Sequence, residues 1–276
     1  MAISIARKEM LVDGLETSYL EAGSGKPLVL LHGGEFGGDA EVCWEYTIPE
    51  LAKRFRVIAP DLLGFGRTAK IVDFVDGRRR RLTHLARFLE LVDAIGAPCV
   101  GNSMGGMLLL YDAGSPAPLL RPAKIISIAG GGALASESAH FQSLFSYDGS
   151  FAGMRRIVDA LFHAPKWAAD DSYVERRRQS SLAPGAWEAV AAARFRRPVE
   201  VQEARTPSEI AYEKVSVPTL VIAGADDKLK PKGWQTDVAN AIPGARSVLV
   251  ADAGHCPQIE QPAITNEVLI RFLTEG

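Results

Sequence analysis

Six short apolar runs, each closed by glycine, proline or aspartate, govern what this chain can fold into. Leu28-Val29-Leu30-Leu31 stops at His32-Gly33-Gly34, and Arg56-Val57-Ile58-Ala59 stops at Pro60-Asp61. Cys99-Val100 runs into Gly101, and Lys124-Ile125-Ile126-Ser127-Ile128 precedes a glycine cluster at 130–132. Thr219-Leu220-Val221-Ile222-Ala223 and Ser247-Val248-Leu249-Val250 are the last two. A strand with one face in water alternates apolar and polar residues, and these runs do not. They read as strands buried on both faces, hence a mostly parallel sheet covered by helices. Between two of them, Leu82 to Ile95 places Leu85, Phe88, Leu89 and Val92 at helical spacing and ends at Gly96, where a C-cap is expected.

The rhythm breaks once. Residues 134–208 carry no strand signal but hold helix-like stretches at Phe151 to Leu161, Tyr173 to Ser180 and Ala186 to Phe195, punctuated by Pro165, Pro184-Gly185 and Pro198. This predicts an α/β core from residues 1–133 and 209–276, with 134–208 inserted as a helical cap. The apolar side chains of the cap, Phe141, Leu144, Phe145, Leu161, Trp167 and Trp187 among them, are expected mainly to pack it on the core, with a few facing a pocket.

Composition excludes several function classes. The 276 residues are 47% hydrophobic with a net charge of -2, which rules out a disordered chain. Lys+Arg 31 against Asp+Glu 33 leaves no basic excess for nucleic acid, and Arg78-Arg79-Arg80-Arg81 reads as a solvated helix start. No apolar stretch approaches the roughly 18–20 residues that span a bilayer, and Met1 to Asp13 lacks a leader's apolar core, so a cytoplasmic protein is expected. Cys43, Cys99 and Cys256 are odd in number and widely spaced, indicating neither a disulfide framework nor a zinc site.

The chemistry begins at Gly101-Asn102-Ser103-Met104-Gly105-Gly106. Glycines on either side of the serine let a strand turn sharply into a helix and hold the hydroxyl at the tip. A serine hydroxyl needs a base to take its proton. Of five histidines, His84 lies inside a predicted helix, His140 and His163 lie in the insertion, and His32 precedes two glycines where it would shape the backbone. His255 alone follows the last strand on a loop, the place where α/β sheets assemble their sites. The acid that orients it should follow the preceding strand, where Asp226 and Asp227 compete in Gly224-Ala225-Asp226-Asp227-Lys228.

These residues and their Ser…Asp…His order resemble the α/β-hydrolase fold over essentially the whole chain. Within it the sequence is similar to the meta-cleavage-product hydrolases, carbon–carbon bond hydrolases of bacterial aromatic degradation. The likeness rests on Leu30-Leu31-His32-Gly33-Gly34, the run from Arg56 to Arg67, the elbow with Asn102 and Met104, and Gly254-His255-Cys256-Pro257-Gln258-Ile259-Glu260-Gln261-Pro262. It favours Asp227 as the acid, twenty-eight residues before His255. It implies an oxyanion hole from the backbone N–H groups of Gly34 and Met104, and substrate contacts from Gly33, Asn102 and Arg177, with Arg176 and Arg178 as neighbouring candidates. It also implies a small-molecule substrate, no metal or other cofactor, and a dimer or higher oligomer.

The chain departs from the pattern where the family has a glycine–proline–glycine turn and this sequence reads Glu35-Phe36-Gly37. Cys43 stands for a substrate-binding asparagine and Cys256 for a tryptophan. Glu35, Asp39 and Glu41 make the first loop acidic, so either these carboxylates point outward or the substrate is less anionic than the family norm. The expected activity is carbon–carbon cleavage of a vinylogous 1,5-diketone. A carboxylesterase or lactonase would use the same triad, and a non-hydrolytic ligand-binding protein or cofactor-free dioxygenase is a third class.

Overall fold

All six expected strands form, and the sheet holds two more. The computed structural model describes residues 3–192, 194 and 209–275. Its strands are β1 (Ile5–Val12), β2 (Leu15–Ala22), β3 (Pro27–Leu31), β4 (Arg56–Pro60), β5 (Cys99–Asn102), β6 (Ile125–Ile128), β7 (Thr219–Gly224) and β8 (Arg246–Val250). They run in the order β1-β2-β4-β3-β5-β6-β7-β8. β1 and β2 pair antiparallel, as do β2 and β4, and every pairing from β4 to β8 is parallel. β3, β5, β6 and β7 are buried along almost their whole length, as continuous apolar runs require.

The missed β1–β2 hairpin is mostly exposed on β1, so its residues carry no unbroken apolar run. Its signal is the turn Asp13-Gly14, where both residues take positive φ (48° and 80°), the backbone a two-residue hairpin needs.

Helices cover both faces of the sheet. On the core they are α1 (Ala40–Trp44), α2 (Ile48–Leu51), α3 (Gly77–Leu91) and α4 (Met104–Ala113). α3 starts earlier than its apolar periodicity indicated because Asp76 caps it, accepting from Arg79 N–H. It also stops before Gly96: Asp93 takes the left-handed backbone (φ 53°) that ends the helical run. The arginine run does open this helix, but only Arg79 and Arg80 are exposed. Arg81 donates to the Leu63 carbonyl (3.1 Å), and Arg78 lies 4.1 Å over the Tyr111 ring.

Between β6 and β7 the described residues contain helices and no strand: α5 (Ala139–Ser143), α6 (Phe151–Leu161), α7 (Lys166–Ala169), α8 (Asp171–Ser181) and α9 (Ala186–Ala192). Phe195, Pro198 and the expected end of the insertion at 208 lie outside the described residues. The insertion has an aromatic interior, with Phe162 and Trp167 stacked at 5.0 Å and Tyr173 against both. Phe36 from the loop after β3 reaches up into it, 4.8 Å from Tyr147 and 6.2 Å from Trp187. The chain returns through β7 to α10 (Trp234–Ala241), then β8, α11 (Pro257–Glu260) and α12 (Pro262–Thr274).

Candidate active site

β5 delivers Ser103 to the C-terminal edge of the sheet on a strained turn, with φ 49° and ψ -111°. The two glycines expected to permit that turn do so by removing atoms. A Cβ on Gly101 would stand 2.3 Å from the Gly105 carbonyl carbon, and one on Gly105 would stand 2.3 Å from the Leu31 carbonyl oxygen. The first turn of α4 can therefore press against both β5 and β3.

The acid and base come from the loops after β7 and β8. His255 Nε2 lies 2.9 Å from Ser103 Oγ, and His255 Nδ1 lies 2.8 Å from Asp227 Oδ2. Asp227 also accepts the Leu229 N–H at 2.8 Å. Burial raises the Asp227 carboxyl, but His255, the Leu229 N–H and Lys230 outweigh it and hold it below the ordinary carboxylate value. An ionised Asp227 accepting from Nδ1 leaves Nε2 free to take the serine proton. His255 N–H donates to the Leu161 carbonyl at 2.8 Å, which fastens the base to α6 of the cap.

The competitor Asp226 points away. Its carboxylate is exposed and 3.7 Å from His163 Nδ1 rather than closing a turn. His32 shapes backbone: Nδ1–H donates to the Gly33 carbonyl (2.6 Å), and Nε2 accepts the Leu62 N–H (2.9 Å). His84 contacts Thr17 Oγ1 at 3.0 Å, remote from the serine.

A cavity of about 830 Å³ opens over the triad beneath the cap. Ser103, His255, Gly34 and Met104 lie on its wall. A Cβ on Gly34 would stand 2.8 Å from Met104 Sδ, so the two residues expected to supply oxyanion donors are adjacent. Met104 opens α4, where its N–H has no intrahelical acceptor. Most of the remaining wall is apolar. Phe141, Leu144, Phe145 and Leu161 of the expected cap residues line it, whereas Trp167 and Trp187 pack within the cap.

Gly33, Asn102 and Arg177 behave differently from expectation, because none lines this cavity. Glu35, which does line it, lies against Gly33 and Arg177. Its Oε1 accepts from Arg177 Nη2 at 2.5 Å, and its Oε2 would lie 2.4 Å from a Cβ on Gly33. Of the three adjacent arginines, Arg177 alone is fully buried; Arg176 pairs with Glu45 and Arg178 with Glu175. Its Nη1 donates to the Tyr173 hydroxyl at 3.0 Å, and its buried Nε has no acceptor among the described residues. Burial opposes both charges, yet the Glu35 carboxyl is held below its ordinary value by Arg177, its own backbone N–H and His32. Burial likewise lowers the Arg177 guanidinium, but Tyr173, Glu35 and Cys256 hold it above its ordinary value.

Asn102 is engaged in holding the site together. Its Nδ2 donates to the Ile128 and His255 carbonyls at 3.3 and 3.2 Å. The thiols of Cys43 and Cys256 approach its Oδ1 at 3.8 and 4.0 Å. All three cysteines are buried and free, and burial pushes each thiol up.

The acidic loop therefore resolves residue by residue. Glu35 points inward onto Arg177. Asp39 caps α1 through the Val42 N–H and accepts from Ser180 Oγ, and Glu41 pairs at the surface with Arg7. Gly37 (φ 73°) lets this loop pass under α8, since its Cβ would stand 2.2 Å from the Arg177 carbonyl oxygen.

Two basic residues on the cavity wall were not singled out from the sequence. Arg194 lies 4.3 Å over the Phe36 ring and donates to the Gly34 carbonyl (3.4 Å) and the Leu144 carbonyl; burial lowers it to about 10, with Glu35 opposing. Lys230 is 8% exposed, and burial lowers it to about 8, with Asp227 opposing. A lysine three residues beyond a triad acid was the available signal.

A hydrogen-bonded Ser103–His255–Asp227 triad at the C-terminal edge of an α/β sheet, under a helical cap, defines a serine hydrolase. A family model described as the alpha/beta hydrolase family matches residues 28–268. The chain is 32% identical over 267 residues to a 2-hydroxy-6-oxo-6-(2'-aminophenyl)hexa-2,4-dienoic acid hydrolase of Metapseudomonas resinovorans, covering 95% of this chain and 88% of that one. It is also 32% identical over 270 residues to a 2-hydroxymuconate semialdehyde hydrolase of Pseudomonas sp. strain CF600, covering 98% and 94%. The solved meta-cleavage product hydrolase of Pseudomonas fluorescens IP01 superposes with a TM-score of 0.85 at 26% identity, over 96% of each chain. The chain belongs to the α/β-hydrolase family and, within it, to the meta-cleavage-product hydrolases. Among the described residues no helix is long and apolar enough to cross a membrane.

Proposed function

We propose that this enzyme hydrolyses a carbon–carbon bond in a vinylogous 1,5-diketone of the 2-hydroxy-6-oxo-hexa-2,4-dienoate type. The observation that carries the reading is the assembled triad facing a largely apolar cavity, in a chain whose relatives are named for such substrates. His255 helps convert the dienol to its keto form, so that the departing carbon leaves as a conjugated enolate rather than a bare carbanion. Ser103 Oγ then adds to the 6-carbonyl while His255 Nε2 takes its proton. Collapse breaks the carbon–carbon bond, the electron pair passes into the enolate, and His255 returns the proton to the departing fragment. Water, activated by His255, then frees the acyl group from Ser103. Asp227 holds the imidazole tautomer and stabilises its cation throughout.

In this reading the N–H groups of Gly34 and Met104 receive the oxyanion, where loss of one donor costs about 2.7–4 kcal/mol of transition-state stabilisation. Gly33, Asn102 and Arg177 act on the substrate through Glu35 and the His255 loop rather than by touching it. The same reading expects a cytoplasmic dimer or higher oligomer, which light scattering of the purified protein checks.

The Glu35–Arg177 pair supports a second reading, a carboxylesterase or lactonase, because an arginine already neutralised offers less to a carboxylate. Steady-state assays separate the two. Release of the cleaved acid from the dienoate by wild type, and its loss in Ser103→Ala, support carbon–carbon cleavage. An untouched dienoate with Ser103-dependent turnover of 4-nitrophenyl acetate supports the second reading.

A further inference from the structure

Strand order divides the cavity into two ends. The loop after β3 brings Gly34 and Glu35 to one side of Ser103, and the loops after β6 and β7 bring Gly131, Leu229 and Lys230 to the other. Lys230 is the basic group of that second end. Its Nζ donates to the Gly131 carbonyl and lies 4.5 Å from the Trp234 ring centroid. No carboxylate oxygen among the described residues comes within ion-pair distance of it. Asp227, the acid whose charge it feels, is committed to His255 and the Leu229 N–H.

An ammonium carries three N–H donors, and only one here has an acceptor among the described residues. Leaving a nine-tenths-buried ammonium with one acceptor for three donors is costly, and the Gly131 carbonyl and the Trp234 ring offset only part of that cost. The remaining donors are available to the cavity that Lys230 lines.

We propose that Lys230 is a specificity-determining residue that receives an anionic group, a carboxylate or its equivalent, carried on the acyl half of the substrate. This deepens the reading above and rests on it. Arg194, beside Gly34 on the cavity wall, offers the dienoate carboxylate a cation at the first end, so the substituent on the 6-carbonyl extends past Ser103 toward Gly131 and Lys230. The substrate class is then a diketone charged at both ends, and the acyl product is a dicarboxylic acid.

The test uses esters, so that it does not depend on carbon–carbon cleavage. Mono(4-nitrophenyl) adipate and 4-nitrophenyl hexanoate have acyl chains of equal length, and only the first ends in a carboxylate. The quantity read is the ratio of their kcat/KM values within one enzyme preparation, from which a loss of folded enzyme cancels, with Ser103→Ala as background. Lys230→Met is expected to lower the adipate-to-hexanoate ratio about 10- to 100-fold, the worth of a charged hydrogen bond, and Lys230→Arg to restore part of it. A ratio unchanged in Lys230→Met overturns the inference. So does a ratio that responds only when the carboxylate sits on the nitrophenyl leaving group. If the ratio is unchanged while wild type cleaves the dienoate, the inference fails and the proposed activity stands; a responsive ratio with an untouched dienoate gives the reverse.

Discussion

Glu35→Gln tests the buried pair at the polar end of the site. The two side chains are 9% and 1% exposed, and their contact is 2.5 Å. The variant leaves Arg177 with the Tyr173 hydroxyl as its remaining partner, and Arg177 Nε is already without one. Removing one member of a buried pair typically costs about 3–5 kcal/mol, because the other charge stays behind uncompensated. The amide oxygen of glutamine can still accept one N–H, so the lower end, about 3 kcal/mol, is expected. For a chain of this size that lowers Tm by roughly 6 °C or more.

Arg177→Met in the same background removes the stranded charge and is expected to recover most of the loss, giving a coupling energy of about 2 kcal/mol in a urea double-mutant cycle. The pH sign follows from Glu35 being held below its ordinary value. Its stabilisation is present above the unfolded carboxyl value of about 4.3 and is lost as pH falls through the folded value. The gap between wild type and Glu35→Gln should therefore narrow below about pH 4. A single variant within about 1 kcal/mol of wild type, or a double variant no better than the single, would show that the two charges are not coupled.

Two further outcomes are expected. The adipate preference should fall as pH rises through about 8, because burial lowers Lys230 to that value and the neutral amine no longer attracts a carboxylate. Taking a ratio cancels any titration that affects both esters alike, and a preference flat from pH 7 to 9.5 would argue against the assignment. Glu260→Ala should lower kcat/KM about tenfold and Tm by several degrees. Glu260 accepts from His163, Ala164 and Gly254 N–H, joining the cap to the loop that carries His255, and each orphaned donor costs about 1–3 kcal/mol. Unchanged kinetics would show that the His255–Leu161 and Asn102–His255 bonds hold that loop without it.

What could be read from residues was what local physics dictates. Unbroken apolar runs identify β3, β5, β6 and β7, since a strand covered on both faces has no polar side. The elbow glycines, Ser103 and His255 were legible because each sits at a strand end where the backbone must turn. β1 was not, because an edge strand open to water carries little hydrophobic signal. Asp226 and Asp227 are chemically identical on paper, and only the fold turns one toward His255 and the other toward His163. Of the three arginines the resemblance pointed to Arg177 as a substrate contact, whereas the fold buries it against Glu35 and off the cavity wall, and that partner was not legible. The Glu35 ion pair spans a loop and a cap helix, 142 residues apart, and no local pattern records such a contact. Arg194 carries no local signal for the same reason, since a cavity wall is assembled from segments distant in sequence.

In the proposed reaction Ser103 attacks a ketonised substrate under a triad already assembled. Stopped-flow absorbance of a 2-hydroxy-6-oxo-hexa-2,4-dienoate with Ser103→Ala tests it most directly. The variant is expected still to bind the dienol and to shift or slowly bleach its spectrum through ketonisation, while no cleaved acid accumulates over many wild-type turnovers. Cleavage by Ser103→Ala at a rate near that of wild type would contradict it, because the carbon–carbon bond would then break without the serine.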